Sequence, residues 1–269
     1  MSFSNDQLIR YSRNFVLSEI GIPGQRKLLD SKVLVIGAGA IGGVALMYLA
    51  AAGVGTIGIS DYDEVDLTNL QRQIIHTTKS LGASKLESAK ARILEINPDI
   101  NVVLINEKIT VDNVSETILN YDFILDCTDR FESKFLINDA CVLGGKPYVH
   151  AGVVRFGGQV MTYVPDRGPC LRCILENVPS PEDIVTCEQA GVLGSVTGII
   201  GSIQATEAIK YLVDAGELLT GRVLYVDGLG MRFKELSMPE ANSECPVCGT
   251  HRTITSLNAN RDEYEVKGC

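Results

Sequence analysis

"KVLVIGAGAIGG", residues 32–43, runs from an apolar stretch of Val, Leu and Ile straight into a glycine-rich turn. The first part reads as a buried strand. GAGAIG at 37–42 fits G-x-G-x-x-G in its expected setting, between a strand and a helix. Glycine there permits the tight turn and lets backbone N–H groups approach a phosphate at a helix N-terminus. Ala45, Ala50, Ala51 and Ala52 continue the pattern as a helix able to pack closely. Gly37, Gly39 and Gly42 are therefore candidate nucleotide-binding positions. Asp61, at the end of the next strand, TIGISDYD (56–63), is placed to accept hydrogen bonds from ribose hydroxyls. NAD, FAD and ATP all fit this signal. A plain strand–helix contact, with Asp61 as a loop cap, would also produce it.

The stretch that follows narrows the choice. DLTNLQRQ (66–73) places Asn69, Arg72 and Gln73 just past the acid, and Lys85 comes soon after. A hydride-transfer site needs one acid for a ribose there, whereas these side chains suit a triphosphate.

Outward from this centre, the first 30 residues read as a helical lead-in broken by GIPG at 21–24. GASKLESAKARILEINP (82–98) is an amphipathic helix, with Leu86, Ala89, Ile93 and Ile96 on one face. Ser84 and Glu87 have capping-box spacing at its start, and Pro98 follows its end. Strands are predicted at 101–109, 121–129 and 147–154. Strands alternating with such helices predict a mostly parallel sheet covered on both faces. From about residue 155 the pattern changes, with GQVMTYVP and RVLYVDGLGMRFKELSM giving antiparallel pieces around a helix at 196–214. The expected fold is α/β, a Rossmann-like doubly wound sheet with an antiparallel C-terminal extension. One domain over 1–250 is expected, made of a lead-in (1–30), a nucleotide-binding part (31–155) and a remainder (156–250). Residues 177–191 carry two prolines and few apolar side chains, as a mobile loop does. The tail, 251–269, is polar, and its composition allows disorder.

Composition excludes other classes. With 24 basic and 33 acidic residues the net charge is −9, which opposes nucleic-acid backbones but permits a local basic pocket. The longest apolar runs, near Val44–Val54 and Val192–Ile203, are too short and too interrupted to span a membrane. MSFSNDQLIRYSR lacks the order of an export signal, so a cytoplasmic setting is expected.

In that setting eight Cys argue for thiols and metal ligands. CLRC supplies Cys170 and Cys173, and CPVC supplies Cys245 and Cys248. Four thiolates close a tetrahedral sphere, so the pairs predict a structural zinc rather than a catalytic one. They stand 72 positions apart (245 − 173), so the ion would tie the C-terminal segment to the domain. Cys127 and Cys141 sit in apolar contexts and read as core. Cys187 lies in the expected mobile loop and is a candidate nucleophile, though its neighbours, Thr186 and Glu188, do not lower its pKa.

Together these features resemble the ThiF/MoeB/HesA family, which shares its adenylation domain with ubiquitin-activating enzymes. The matching stretches are RYSRNFVL (10–17), VLVIGAGAIGG (33–43), SDYDEVDLTNLQRQ (60–73) and SKLESAK (84–90). LDCTDRFESKFLIND (125–139), GGQVM (157–161), TCEQAGVLGSVTGIIGSIQATEAIK (186–210) and the two CxxC pairs complete the set. The resemblance covers residue 6 to about 250 and leaves the tail outside it.

What the resemblance implies is adenylation by MgATP of the C-terminal Gly-Gly carboxylate of a small ubiquitin-like sulfur carrier protein, releasing pyrophosphate. Thiocarboxylate formation would follow, in thiamin, molybdopterin, cysteine or homocysteine synthesis or in tRNA thiolation. It implies that Arg72 and Lys85 hold phosphate oxygens, that Asn69 and Gln73 bond phosphate or ribose, and that Asp61 holds the ribose. Asp129 matches the Mg²⁺-associated carboxylate. Arg13 matches an arginine supplied by the neighbouring protomer of a homodimer. Cys187 matches a residue that some relatives use as an acyl- or sulfur-carrying thiol and others do not need. No rhodanese-like sequence follows the second Cys pair, which implies sulfur from a separate donor protein or a small donor. Residues 156–250 become the carrier-binding and zinc part. Two other classes compete with this reading: an NAD(P)- or flavin-dependent oxidoreductase, and a catalytically silent, zinc-stapled scaffold for a ubiquitin-like protein. Arg72, Lys85 and Asp129 count against both.

Overall fold

Ser4 opens the first helix with a capping box, accepting from the Gln7 N–H while the Gln7 side chain accepts from the Ser4 N–H, each at 3.1 Å. In the computed structural model, residues 3–179, 187–238 and 240–265 are described, the side chains of 187 and 188 excepted. Three helices form the lead-in: α1 (Asn5–Arg10), α2 (Ser12–Val16) and α3 (Gly21–Asp30). GIPG begins α3 instead of breaking the lead-in. Pro23 falls in the first turn, where an N–H has no intrahelical acceptor to lose.

The chain then alternates. β1 (Lys32–Ile36), α4 (Ala40–Ala52), β2 (Thr56–Ser60), α5 (Lys85–Ile96) and β3 (Asn101–Ile105) come first. α6 (Val114–Leu119), β4 (Phe123–Asp126), α7 (Phe131–Leu143), β5 (Tyr148–Val154) and β6 (Gly157–Tyr163) follow. α8 (Leu171–Ile174), α9 (Cys187–Ala190), α10 (Gly194–Val213), β7 (Arg222–Asp227), β8 (Arg232–Ser237) and α11 (Arg261–Tyr264) complete the order. Ser84 caps α5 by accepting from the Leu86 N–H, so the bond falls one residue short of Glu87.

The eight strands among the described residues share one sheet, ordered β3-β2-β1-β4-β5-β6-β7-β8. The first five pair parallel, and β6, β7 and β8 extend the sheet antiparallel. β1 shows why its sequence is apolar throughout. Val33 and Val35 enter one core with Leu46, Leu49 and Ile57, whereas Leu34 and Ile36 enter the other with Ile124, Phe135 and Tyr148. A strand buried on both faces cannot alternate. Strand order reverses between β1 and β4, and in open α/β sheets ligands bind past the carboxyl ends of the strands at that point.

The polar tail is packed as far as residue 265. Ile254, Leu257 and Tyr264 are buried in the second core. The Tyr264 hydroxyl donates to Asp139 at 2.7 Å, and Arg172 bonds both Asp139 oxygens and Glu263. A few well-placed apolar side chains and one buried ion network outweigh the tail's polar composition. Among the described residues no helix is long and apolar enough to cross a membrane.

Candidate nucleotide cleft and cysteine cluster

Past the carboxyl ends of β1, β2 and β4 lies a cleft of about 850 Å³, within the usual range for small-molecule sites. The glycine turn forms its floor. Gly37 holds φ +101°, and a Cβ there would come within 2.8 Å of the Cys127 carbonyl. A Cβ on Gly42 would lie 1.8 Å from the Gly37 carbonyl. Gly42 therefore lets α4 start against the turn, without itself lining the cleft.

The Ala38 peptide is held from both sides. Its N–H donates to Asp61 Oδ2 at 2.8 Å, and its carbonyl lies 3.0 Å from His76 Nε2. A carbonyl only accepts, so Nε2 carries the proton and Nδ1 accepts from the Ser88 hydroxyl at 2.9 Å. Burial lowers the His76 pKa, which keeps that neutral tautomer in place. Sequence reasoning missed His76, because nothing in its neighbourhood marks it.

Gly37, Gly39, Asp61, Arg72, Gln73, Lys85 and Asp129 all line the cleft. Lys85, buried in the first turn of α5, donates to Asp63 at 2.8 Å. Arg72 Nη1 donates to the Thr68 carbonyl at 2.9 Å. Gln73 is buried, and its Oε1 has no hydrogen-bond partner among the described residues. Its amide lies beside the glycine turn, where a Cβ on Gly39 would come within 3.6 Å of Gln73 Nε2. Asp129 is exposed at the rim and makes no hydrogen bond or ion pair among the described residues. A free carboxylate fits a hard cation such as Mg²⁺.

Two predicted residues stand outside this set. Asn69 does not line the cleft. Its side chain accepts from the Asp66 N–H at 3.1 Å, and its carbonyl accepts from the N–H groups of Arg72 and Gln73 at 3.0 and 2.9 Å. It folds the turn that delivers those two. Arg13 is exposed on α2, away from the cleft of its own chain. The cleft also holds cations that the sequence reading did not single out, Lys108, Arg130, Lys134, Arg232 and Lys234. Positive charge is thus concentrated at one place on an acidic chain.

Cys170, Cys173, Cys245 and Cys248 bring their sulfurs within 4.8 Å of one another. Cys170 and Cys245 are 3.6 Å apart, and Cys173 and Cys248 are 3.3 Å apart. A tetrahedral zinc with thiolates at 2.3 Å has sulfur–sulfur edges of roughly 3.8 Å, so this cluster could hold one. The Asn242 N–H points at Cys173 Sγ from 3.4 Å and Asn138 Nδ2 at Cys170 Sγ from 3.9 Å, donors suited to thiolates. Cys127 and Cys141 are buried, and burial pushes both thiols up, as expected of core residues. The Cys187 side chain, residues 180–186 of the expected mobile loop, and Cys269 lie outside the described residues.

A doubly wound sheet whose switch point carries a glycine turn, a following acid and several cations defines an α/β protein with a cleft suited to a nucleotide. The chain belongs to the ThiF family, whose profile matches residues 11–247. It is 44% identical over 254 residues to "Adenylyltransferase and sulfurtransferase MOCS3" of Aedes aegypti. That match covers 94% of this chain and 58% of the mosquito protein, so the chain spans little more than half of that relative. It is 43% identical over 249 residues to "SAMP-activating enzyme E1" of Haloferax volcanii, covering 93% of this chain and 92% of that one. Among solved structures, E. coli MccB crystallised with MccA-N7isoASN superposes with a TM-score of 0.80 at 25% identity, over 91% of this chain and 76% of MccB.

Proposed function

We propose that this ThiF-family chain is a nucleotidyltransferase that adenylates the C-terminal Gly-Gly carboxylate of a ubiquitin-like sulfur carrier protein. The observation that carries the reading is the meeting of Arg72, Gln73, Lys85 and the exposed Asp129 carboxylate around one glycine turn. The names of the mosquito and archaeal relatives, an adenylyltransferase and an activating enzyme, support it.

In this reading the carrier carboxylate oxygen attacks the α-phosphorus of ATP. The new P–O bond forms as the bond to the bridging oxygen breaks, and pyrophosphate leaves. Negative charge grows on that leaving group, so fixed cations aimed at it lower the barrier. Arg72 offers a planar fork to phosphate oxygens and Lys85 a point charge at a helix start. The glycine turn lets phosphate approach the start of α4, Gln73 bonds phosphate or ribose, and Asp61 takes the ribose. Asp129 would hold Mg²⁺, which neutralises phosphate charge when bound. The four Cys hold a structural zinc that fastens the C-terminal segment. The activated carrier then receives sulfur from a donor protein or small donor, with Cys187 as a candidate thiol for that step. Arg13 reaches the phosphates of a neighbouring protomer in a homodimer. A hydride-transfer enzyme would have no use for this cation set.

The test is carrier-dependent exchange of labelled pyrophosphate into ATP. The wild-type chain should exchange with a Gly-Gly-ended carrier and Mg²⁺, and Asp129→Ala should lower the rate at least about a hundredfold. No exchange by the wild type would overturn the proposal, and full exchange by the variant would remove Asp129 from it.

A further inference from the structure

Beneath the rim carboxylate lies a group of ionisable side chains that the adenylation scheme does not use. Asp126 ends β4 and is fully buried. Its Oδ1 accepts from the Thr128 N–H at 3.1 Å and the Thr128 hydroxyl at 2.6 Å. Its Oδ2 accepts from His150 Nδ1 at 2.9 Å and Lys134 Nζ at 3.3 Å. Lys134, in the first turn of α7, is 5% exposed, and its ammonium also donates to the Ala151 carbonyl at 2.6 Å. His150 is buried too.

The place of this group in the sheet gives it meaning. Asp126 and His150 are the last register partners of β4 and β5. Beyond them β4 turns into the loop bearing Thr128, Asp129 and Arg130, whereas β5 runs on against β6. One wall of the cleft is that loop, and the other is built by Gly152, Val153 and Gln159. The strands part here, and Lys134 bridges the parting, with Asp126 on one side and Ala151 on the other. Buried charge of this kind costs desolvation and is weak evidence for stability by itself. A buried cation tied to both walls is well placed to fix their spacing.

We propose that Asp126, Lys134 and His150 form a positioning triad that sets the Thr128–Arg130 loop, and with it Asp129, against the β5–β6 wall. The proposal rests on the adenylation reading for what Asp129 does, but not for the geometry. Lys134 also lines the cleft, but its ammonium is engaged by Asp126 and Ala151, so the three act through the walls they join. Through Thr128 and Ala151 they hold the Thr128–Arg130 loop at a set distance from the β5–β6 wall. A misplacement of about 1 Å at a reacting centre can cost about a hundredfold in rate, so such a brace has kinetic consequences.

The test uses the full chain with Asp126→Ala/Lys134→Met, which removes both charges and leaves no unpaired ion inside. Lys134→Gln is the milder variant, read instead if the double variant does not fold, and Lys134→Arg is the conservative one. Amide hydrogen exchange is followed by peptide, alongside pyrophosphate exchange with varied ATP. The Thr128–Arg130 amides should exchange at least about tenfold faster while β1 stays protected. Turnover should fall at least about tenfold with the KM for ATP within about threefold, and Lys134→Arg should recover most of it. Wild-type protection of the loop would overturn the triad, as would a loosened loop with wild-type turnover. Equal loosening of β1 and the loop would also overturn it, because that is general destabilisation. If the wild-type chain shows no pyrophosphate exchange, the adenylation reading fails, and loop protection alone then decides the triad.

Discussion

Asp126 and His150 are both shifted in the direction that makes the fold sensitive to acid. Burial opposes the Asp126 charge, but Lys134 and the hydrogen bonds from His150 and Thr128 outweigh it and hold the carboxyl at about 2. Burial lowers the His150 pKa, against the pull of Asp126. In each case the folded pKa lies below the unfolded one, so the unfolded chain takes up protons first as pH falls, and stability is lost. The His150 contribution fades as pH drops below the ordinary imidazole value of about 6.5. The Asp126 contribution, on the order of 2 kcal/mol, fades between about pH 4 and pH 2. Urea unfolding at about pH 7.5 and about pH 5.5 should show a smaller loss in His150→Gln than in the wild type. His76, also lowered by burial, keeps part of the loss. Equal losses in the two proteins would mean that His150 titrates alike folded and unfolded. These residues were not legible in the sequence, and the reason is physical. Gly37, Asp61, Lys85 and the four Cys announce themselves by type and spacing. Asp126 and Lys134 stand among other polar residues in DCTDRFESK and His150 alone in an apolar strand, and only the β4–β5 register and the start of α7 bring the three together.

The long helix α10 shows a second coupling that the sequence pattern conceals. Its first residue, Gly194, abuts the turn carrying Arg72. A Cβ there would lie 2.5 Å from the Gln71 carbonyl and 3.1 Å from the Arg72 Cα. Contacts that short force a shift, and the affected segment is the one that presents the guanidinium. Gly194→Ala should therefore leave a folded protein whose pyrophosphate exchange falls at least about tenfold, in the direction of Arg72→Ala. The double variant should be little worse than Arg72→Ala alone, since both changes act on one side chain. Full additivity in that cycle would show that Gly194 acts elsewhere. Strands and amphipathic elements were legible because their periodicity is local: β1, α5 and the antiparallel β6–β8 extension lie close to where the pattern predicts. α7 was harder to see. Its residues from Lys134 to Val142 are all buried, so no polar stripe marks its period. GIPG misled for a different reason, because a proline that breaks a helix interior is tolerated in a first turn.

Over the whole molecule, distant parts of the chain are fastened by few groups. The cysteine cluster joins two segments 72 positions apart, and the Asp139–Arg172–Glu263–Tyr264 network pins the tail beside it. The first was legible from spacing. The second was not, since single polar residues far apart in sequence carry no mark of their pairing. Arg13 poses the opposite case, a residue singled out by resemblance that the fold leaves outside its own cleft. If it serves phosphates at all, it serves those of another protomer. Ile9 and Val16, 74% and 78% exposed on the same lead-in, give that region an apolar surface suited to a second copy. A two-fold dimer turns this into a quantitative test, because each protomer would lend its Arg13 to the other. Arg13→Ala and Asp129→Ala homodimers should each be nearly inactive, since every site lacks one component. After subunit exchange, a mixed dimer contains one site with Asp129 from the Arg13→Ala chain and Arg13 from its partner. The other site of that dimer carries both defects. Half the dimers are mixed and half of their sites are whole, so pyrophosphate exchange should return to about a quarter of the wild-type rate. An Arg13 that served its own chain would leave every site defective. Mixing would then restore nothing, and that result, with subunit exchange confirmed by differently tagged chains, would sink the trans assignment.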